Sequence, residues 1–431
     1  MSPAPLADYS ALAGRSIAIV EHMLHHPYVL GVRQAQEAGA RITLLVADED
    51  WYSHGRPWSE APLALVDEVV RVDTLDVDAV REAVTDADGR PLHDAVTTFS
   101  DYHTEVAATV AQQLGLPGPN PDALRRANHK QLLREAFGDD EGNLRWALVG
   151  SLEAALEAAA DLGYPVIAKP PAEAISYGVR RCDDDAELTE AMAELSGFTS
   201  SLRGQPRTGE VLLEEFVEGV EVSVETMSFG GTTHVYGVTS KDLFGDPYYI
   251  ECGHTFPVAL SEESRAELYG VVRRALASIG YDYGPCHTEA RLTDRGWRII
   301  EANPRTPSSC MTMLVTDVTG RSPILDAWLL ALGEQPAVEP VTWTGAAAVR
   351  MLYPGATGPL RRIEGVEEAA ADPAVQVLLH VHEGEELMAR MDNSSCVGFT
   401  YATADDVDSA RDIADAAAAK LNFVGSEHVR A

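Results

Sequence analysis

Lysine is nearly missing from this chain. Of 33 basic side chains in 431 residues only four are lysines, namely Lys130, Lys169, Lys241 and Lys420, and arginine supplies the rest. Arginine is a wide planar fork and lysine a compact point charge, so the two do not substitute for one another at phosphates. Each lysine that survives in such a composition therefore calls for a local reason. Positive charge of either kind is scarce, with 67 acidic residues, a formal charge of −34 and a pI near 4.6. That balance disfavours nucleic acid or an anionic membrane as the main partner. Cysteines are few, scattered and odd in number (Cys182, Cys252, Cys286, Cys310 and Cys396), with no C-x-x-C pair. This argues against a disulfide framework or zinc ribbon and points to a reducing compartment. No apolar run is long enough for a membrane span, and MSPAPLADYS has neither a basic nor an apolar leader region. A cytoplasmic, soluble protein is expected.

Two phosphate signatures are also missing. The first apolar strand is followed by EHMLHHPYVLG, without the glycines of a dinucleotide site, and no GxxxxGK[ST] occurs anywhere. Any nucleotide site is therefore neither the Rossmann nor the P-loop kind. What remains is an ordinary apolar content of 45%, ample for sizeable cores, in a length that allows about two to four domains at roughly 150 residues each.

The first 115 or so residues alternate strands and helices. Strands are expected at Ser16–Val20, Arg41–Ala47 and Ala95–Ser100, with an apolar stretch at Glu68–Val72 and helices ending near Gly39, around Asp76–Ala87 and ending near Gly115. Such alternation predicts βαβ units on a doubly wound parallel sheet. LPGPNP, residues 116–121, is a Pro- and Gly-rich break. One charged helix is predicted from Asp122 to about Phe137, then a strand near Leu144–Val149, an Ala-rich helix ending at Gly163, and the strand Pro165–Lys169. β structure dominates from Glu210 to Ser240, with a turn at Gly230-Gly231. The last 90 or so residues alternate again and close on a helix from about Asp405 to Leu421.

The most informative segment is CHTEARLTDRGWRIIEANPR. Two alternating runs flank Asp294-Arg295-Gly296, which suits a three-residue hairpin loop with Gly in the left-handed position. If Thr293 faces Trp297, counting back places Glu289 opposite Glu301, with Asn303 on the same face and Arg305 beyond it. A one-residue slip would break that pairing. Facing carboxylates are destabilising when uncompensated, and an oxygen-only set suits a hard cation such as Mg²⁺. The alternative is a surface hairpin whose acids face solvent. The E-x-N-P-R sequence weighs against it, because the Pro ends the ladder and presents an Arg.

Lys169 ends an apolar strand, where it can point off the sheet edge into a cleft, and the loop Pro170–Gly178 after it could drape amides over phosphate. Lys130, on ANHKQLLREAF, reads on its own as a solvated helix charge. LLEEFVEGVEVSVE could offer backbone to a purine edge and a carboxylate to ribose, though weakly on its own. His22, His25 and His26 follow the first strand near a substrate cleft, and His380 and His382 alternate on a strand. Both groups are read as ordinary histidines rather than ligands.

In order along the chain these residues resemble the ATP-grasp enzymes, and more narrowly the L-amino-acid ligases of the bacilysin-synthetase type. The resemblance implies an N-terminal doubly wound pre-ATP-grasp domain (1–118), a central ATP-grasp α+β domain (119–335) and a C-terminal α+β lid-like domain (336–431). It implies Lys130 and Lys169 as the nucleotide lysines, and Ser176 and Gly178 as what survives of the grasp loop. Glu214, Glu215, Phe216 and Val217 match the adenine hinge, and Glu221 the ribose acid. Lys241 is a further candidate for the phosphates. Glu289, Glu301 and Asn303 match the metal ligands. Arg305 matches the arginine near the reacting phosphate, forming with Lys169 and the E-x-G-H pair Glu251 and His254 the expected catalytic set. The chain departs from many relatives in carrying Glu173 and Ile175 where they have glycines. The implied activity is ATP-dependent joining of a carboxylate to an amine, an acid–amino-acid ligase of the C–N bond-forming kind. It would proceed through an acyl phosphate, with ATP and Mg²⁺ (or Mn²⁺) and two small-molecule substrates. A homodimer is compatible with the resemblance. Two other classes stand beside it: an ATP-grasp enzyme activating bicarbonate or another acid, and a non-catalytic ATP-binding protein.

Overall fold

The computed structural model describes residues 7–22, 28–53, 62–244, 250–308, 310–338, 341–387, 393–425 and 427–428; His25 and His26 lie outside them. Strands β1 (Ser16–Val20), β2 (Arg41–Val46), β3 (Glu68–Arg71) and β4 (Ala95–Thr97) form an all-parallel sheet in the order β3-β2-β1-β4. Ile17 to Val20 and Ile42 to Val46 are buried almost without interruption, as a sheet covered on both faces requires. The strand order reverses between β1 and β4, and the crevice beyond their carboxyl ends is where such sheets bind ligands.

Two helices follow the Pro-Gly break, Pro121–Asn128 and Lys130–Phe137, where one was predicted. The chain is extended at His129 (φ −96°, ψ 100°), and the Lys130 amide donates to the carbonyl of Pro171 at 2.8 Å. The break starts a new helix at Lys130 and sets this lysine beside the loop after the next lysine. Strands β5 (Trp146–Val149), β6 (Val166–Lys169), β7 (Arg180–Cys182) and β8 (Val211–Glu215) form an antiparallel sheet in the order β5-β8-β6-β7. Helices Leu152–Leu162 and Asp185–Leu195 pack on it through Ala155, Ala159, Leu188 and Met192.

The hairpin β9 (Val220–Phe229) and β10 (Thr232–Ser240) leads to β11 (Asp242–Leu243) and β12 (Glu251–Phe256), and the chain returns in β13 (Gly284–Thr293) and β14 (Gly296–Asn303). The order β10-β9-β13-β14 makes the central antiparallel sheet. Helix Glu262–Ser278 covers one face of it, with Leu268, Val272 and Leu276 against Trp297 and Ile299. β12 instead pairs with β15 (Ala346–Leu352), which continues into strands Gly398–Ala404 and Val375–Leu379. One sheet therefore unites residues on both sides of position 335. Alanines 346, 348, 402, 404, 410 and 414 let helix Val407–Ala418 lie close against it. A single apolar cluster runs from Ile17, Leu44 and Phe99 through Trp328 to Met227 and Val349, tying all three regions together. Among the described residues no helix is long and apolar enough to cross a membrane.

The buried polar residues at the end of β1 bear on pH response. His103 is almost fully buried between Ser100 Oγ (2.9 Å from Nδ1) and Thr74 Oγ1 (3.4 Å from Nε2). Burial lowers its pKa from 6.5 to about 4. Above 6.5 the ring is neutral folded or unfolded. Below it, the unfolded chain takes up a proton that the folded chain refuses, so stability falls as pH drops toward 4. The melting temperature should fall more between about pH 7 and about pH 4.5 in the parent protein than in His103→Gln. Equal falls in the two would show that His103 contributes nothing to acid lability.

Candidate active site

A cleft lined by Lys130, Lys169, Glu214, Lys241, Glu289 and Glu301 opens between the sheet of β5–β8 and the central sheet. Two helical residues, one strand end and one loop build its first corner. Lys130 Nζ lies 2.7 Å from the carbonyl of Glu173 and 3.1 Å from Glu301 Oε2. Lys169 Nζ, at the end of β6, lies 2.6 Å from Glu214 Oε2. Glu214 takes a second cation, Arg134 Nε, at 2.7 Å. Both nucleotide-lysine candidates are buried, so the solvated reading of Lys130 does not hold. Burial, reinforced by Arg134 and Lys130, outweighs Glu214 and lowers the pKa of Lys169. This ammonium has too little negative charge around it, a condition that a bound polyanion relieves.

The opposite wall has the reverse balance. Lys241 Nζ sits 2.5 Å from Glu289 Oε1, 3.1 Å from Glu251 Oε1 and 3.4 Å from Glu221 Oε1. Burial would lower its pKa, but the three carboxylates reverse that and raise it well above the usual lysine value. Glu221 also pairs with Arg291. His254 is fully buried behind Glu251, with Nε2 3.4 Å from Glu251 Oε2 and Nδ1 2.9 Å from the carbonyl of Ser240. Glu251 therefore lines the cleft and His254 supports it from behind.

Glu289 faces Glu301 across the β13–β14 ladder, as expected, but the route differs from the count along the sequence. The hairpin turn holds two residues, because Thr293 pairs with Gly296 and Leu292 with Trp297. That register alone would set Glu289 against Ile300. A bulge between Ala290–Ile299 and Glu289–Glu301 leaves Ile300 out and restores the facing carboxylates. The Ile300 carbonyl is taken instead by Arg134 Nη2 at 2.6 Å. Asn303 Nδ2 donates to Glu301 Oε1 at 3.0 Å. Burial opposes ionisation of Glu301, but Lys130 and Lys169 prevail and hold it well below the usual carboxylate range. No group of three or more His, Cys, Asp or Glu side chains among the described residues is arranged to hold a metal. The oxygen-bearing side chains here are two carboxylates and one amide, a set that fits Mg²⁺, an ion that takes its other ligands from phosphate and water.

The hinge residues divide. Glu214 turns inward to the lysines, while Glu215 turns outward to Arg295 (2.9 Å) and Arg145 (3.3 Å). The Phe216 ring lies beneath Arg181 and Arg291, and the Val217 carbonyl accepts from Arg291. In the loop, Ile175 (φ 55°) and Ser176 (φ 59°) both adopt the left-handed backbone expected of glycine. Gly178 (φ 75°) faces away from the cleft, where a Cβ would meet Leu195, Phe198 and Pro170 at 3.0 to 3.1 Å. Glu173, the other departure from glycine, pairs with Tyr102 and Arg207. Arg305 lies toward the N-terminal sheet, its Nε 2.7 Å from Asp101 Oδ1. His22 is buried against Phe99, His380 against Phe399, and His382 pairs with Glu385. A second hollow, between β4 and residues 281–285, has no charged side chain in its lining and offers nothing to a polyanion.

Sequence reasoning did not find Arg134, Arg291 or His287. Arg134 lies four residues after Lys130, one helical turn on, and only that spacing marked it. His287 is completely buried with its Nδ1 3.0 Å from Glu225 Oε2. Burial would lower its pKa, but Glu225 raises it to about 9.

Residues 162–313 match the model of the ATP-grasp domain, residues 32–118 the ATP-grasp N-terminal domain, and residues 350–425 the L-amino acid ligase C-terminal domain 2. The uncharacterized protein y4rH of Sinorhizobium fredii is 30% identical over 364 residues, which is 83% of this chain and 73% of that protein. Carnosine synthase 1 of Gallus gallus is 27% identical over 317 residues, 70% of this chain but only 34% of that protein. The chain thus spans about a third of that relative's length. The crystal structure of an L-amino acid ligase from Bacillus licheniformis superimposes with a TM-score of 0.80 over 96% of this chain and 100% of that one. At 22% identity it is a likeness of fold.

Arg134→Met would leave the bulge carbonyl and half of Glu214 without a donor deep in the protein. A loss of about 3–5 kcal/mol is expected for breaking such a buried pair, read as a shift in the urea midpoint. A shift under about 1 kcal/mol, the size found for exposed pairs, would contradict the role given to Arg134.

Proposed function

The chain belongs to the ATP-grasp superfamily and resembles the L-amino-acid ligases within it, and from that premise we propose that it is an ATP-dependent carboxylate–amine ligase. It joins two amino acids, or an amino acid and a related amine or acid, and releases ADP and phosphate. One observation carries the reading: two buried lysines, Lys130 and Lys169, and two facing carboxylates, Glu289 and Glu301, line a single cleft. The relatives named carnosine synthase and L-amino acid ligase support amino acids as the substrates.

Phosphoryl transfer asks a protein mainly for position and electrostatics. Lys130 and Lys169 bind the phosphates as point charges, and the loop at Ser176 lies along them. Phe216 and Val217 flank the base, and Glu221 receives the ribose hydroxyls by exchange with Arg291. Glu289, Glu301 and Asn303 would hold Mg²⁺, which when bound neutralises phosphate charge. A substrate carboxylate oxygen attacks the γ-phosphorus and ADP leaves, giving an acyl phosphate. The amine then attacks the acyl carbon, and the C–O bond to phosphate breaks. Arg305 is suited to orient the carboxylate and later the oxyanion, because its guanidinium offers a fork of donors. Glu251, backed by His254, binds an ammonium first and accepts a proton second. The same reading divides the chain at residues 118 and 335 and makes it a cytoplasmic protein acting on small molecules.

Phosphate release from ATP and Mg²⁺ should require two amino acids supplied together, scanned as pools. Lys169→Ala and Glu301→Ala should each lower that release by about 10²–10³-fold with the circular-dichroism spectrum unchanged. Release that needs bicarbonate and no amine would replace this reading with acid activation of another class. Near-normal rates in either variant would remove the site assignment.

A further inference from the structure

The face of the central sheet that carries Glu289 holds a second polar row which the reaction outlined above does not use. β9 and β13 pair Glu225 with His287 and Ser223 with Glu289. β13 and β14 pair His287 with Asn303 and Glu289 with Glu301. Residues two apart share a face, so these six side chains form two rows of three across the strands. Glu289 and Glu301 of the first row line the cleft; the row of Glu225, His287 and Asn303 lies beside it. Glu225 is 1% exposed and His287 2% exposed, and a carboxylate and imidazole buried to that degree need firm partners. His287 Nδ1 lies 3.1 Å and 3.0 Å from the two Glu225 oxygens, and its Nε2 lies 3.2 Å from Glu289 Oε1. Ser223 Oγ donates to Glu225 Oε1 at 2.7 Å.

We infer that Glu225 and His287 act as one positioning unit, holding the Glu289 carboxylate at the angle at which it faces Glu301 and Asn303. The inference rests on the reading of those three residues as the metal donors. A glutamate side chain is flexible, and Lys241 at 2.5 Å pulls Glu289 toward the wall carrying Glu221 and Glu251. His287 grips the same Oε1 atom from the sheet side, and Glu225 keeps the ring from turning. The imidazole ring links the two carboxylates, one through each nitrogen. Partners of this kind behind a metal ligand commonly carry 10–100-fold in metal affinity.

The test is calorimetric titration of ADP at rising Mg²⁺ concentration, which needs no knowledge of the substrates. In Glu225→Gln and His287→Gln the Mg²⁺ concentration for half-maximal ADP binding should rise by about 10–100-fold, while metal-free ADP binding stays as in the parent. The double variant should be no worse than the poorer single one, since the two residues act as one unit. If His287→Gln does not fold, Glu225→Gln, nearly isosteric, decides, and Ser223→Ala should give a smaller shift in the same direction. Unchanged Mg²⁺ dependence in a folded Glu225→Gln protein overturns the inference, even if its melting temperature drops. Glu289→Gln separates the two levels. If it weakens Mg²⁺ dependence and the Glu225 and His287 variants do not, only this inference fails. If it changes nothing, the metal reading fails with it.

Discussion

Charge buried away from water persists only where opposite charge stands within reach, and that constraint organises the cleft. Five cations (Lys130, Arg134, Lys169, Lys241 and Arg291) interleave with five carboxylates (Glu214, Glu221, Glu251, Glu289 and Glu301). The pairing is balanced in total and uneven in space. Lys130, Lys169 and Arg134 share Glu214 and Glu301, leaving one formal positive charge in excess. Lys241 and Arg291 share Glu221, Glu251 and Glu289, leaving one negative. The first end suits a polyanion and the second a cation. The pKa directions agree: Lys169 is pushed down and Lys241 up. In an acidic chain of formal charge −34, this local arrangement of cations, rather than the overall field, is what can receive phosphate.

The geometry of that balance depends on a defect in a ladder. Without the bulge at Ile300, Glu301 and Asn303 would turn to the opposite face of β14, because a one-residue slip reverses every side chain beyond it. Arg134 occupies the carbonyl the bulge releases and at the same time holds Glu214, which holds Lys169. One buried guanidinium therefore couples the register of the acidic strand to the position of a nucleotide lysine. Only a side chain with several donors in a fixed fork can satisfy both partners at once.

Much of this was legible in the sequence, and the parts that were not share a cause. The parallel sheet and the central hairpins follow from two- and 3.6-residue periods, which local chemistry sets. The scarcity of lysine pointed to Lys130 and Lys169, and only Lys420, whose Nζ reaches the Glu368 carbonyl at the surface, lacks a place in the cleft. The hairpin count reached the right pair through two errors that cancelled, a turn one residue too long and an unseen bulge. Arg134, Arg291 and the Glu225–His287 pair were invisible because their partners lie 62 to 166 positions away. The break at His129 was hidden for the same reason, since the Pro171 carbonyl that takes the Lys130 amide comes far later in the chain.

Ligation through an acyl phosphate draws an oxygen from an amino acid, which neither a carboxylase acting on bicarbonate nor a passive ATP-binding protein does. The oxygen bridging carbon and phosphorus comes from the substrate carboxylate and must leave with phosphate. Amino acids labelled with ¹⁸O in the carboxylate, supplied with unlabelled ATP and water, test this by mass spectrometry of the released phosphate. The account predicts one ¹⁸O in each phosphate released. Phosphate released without label would contradict it.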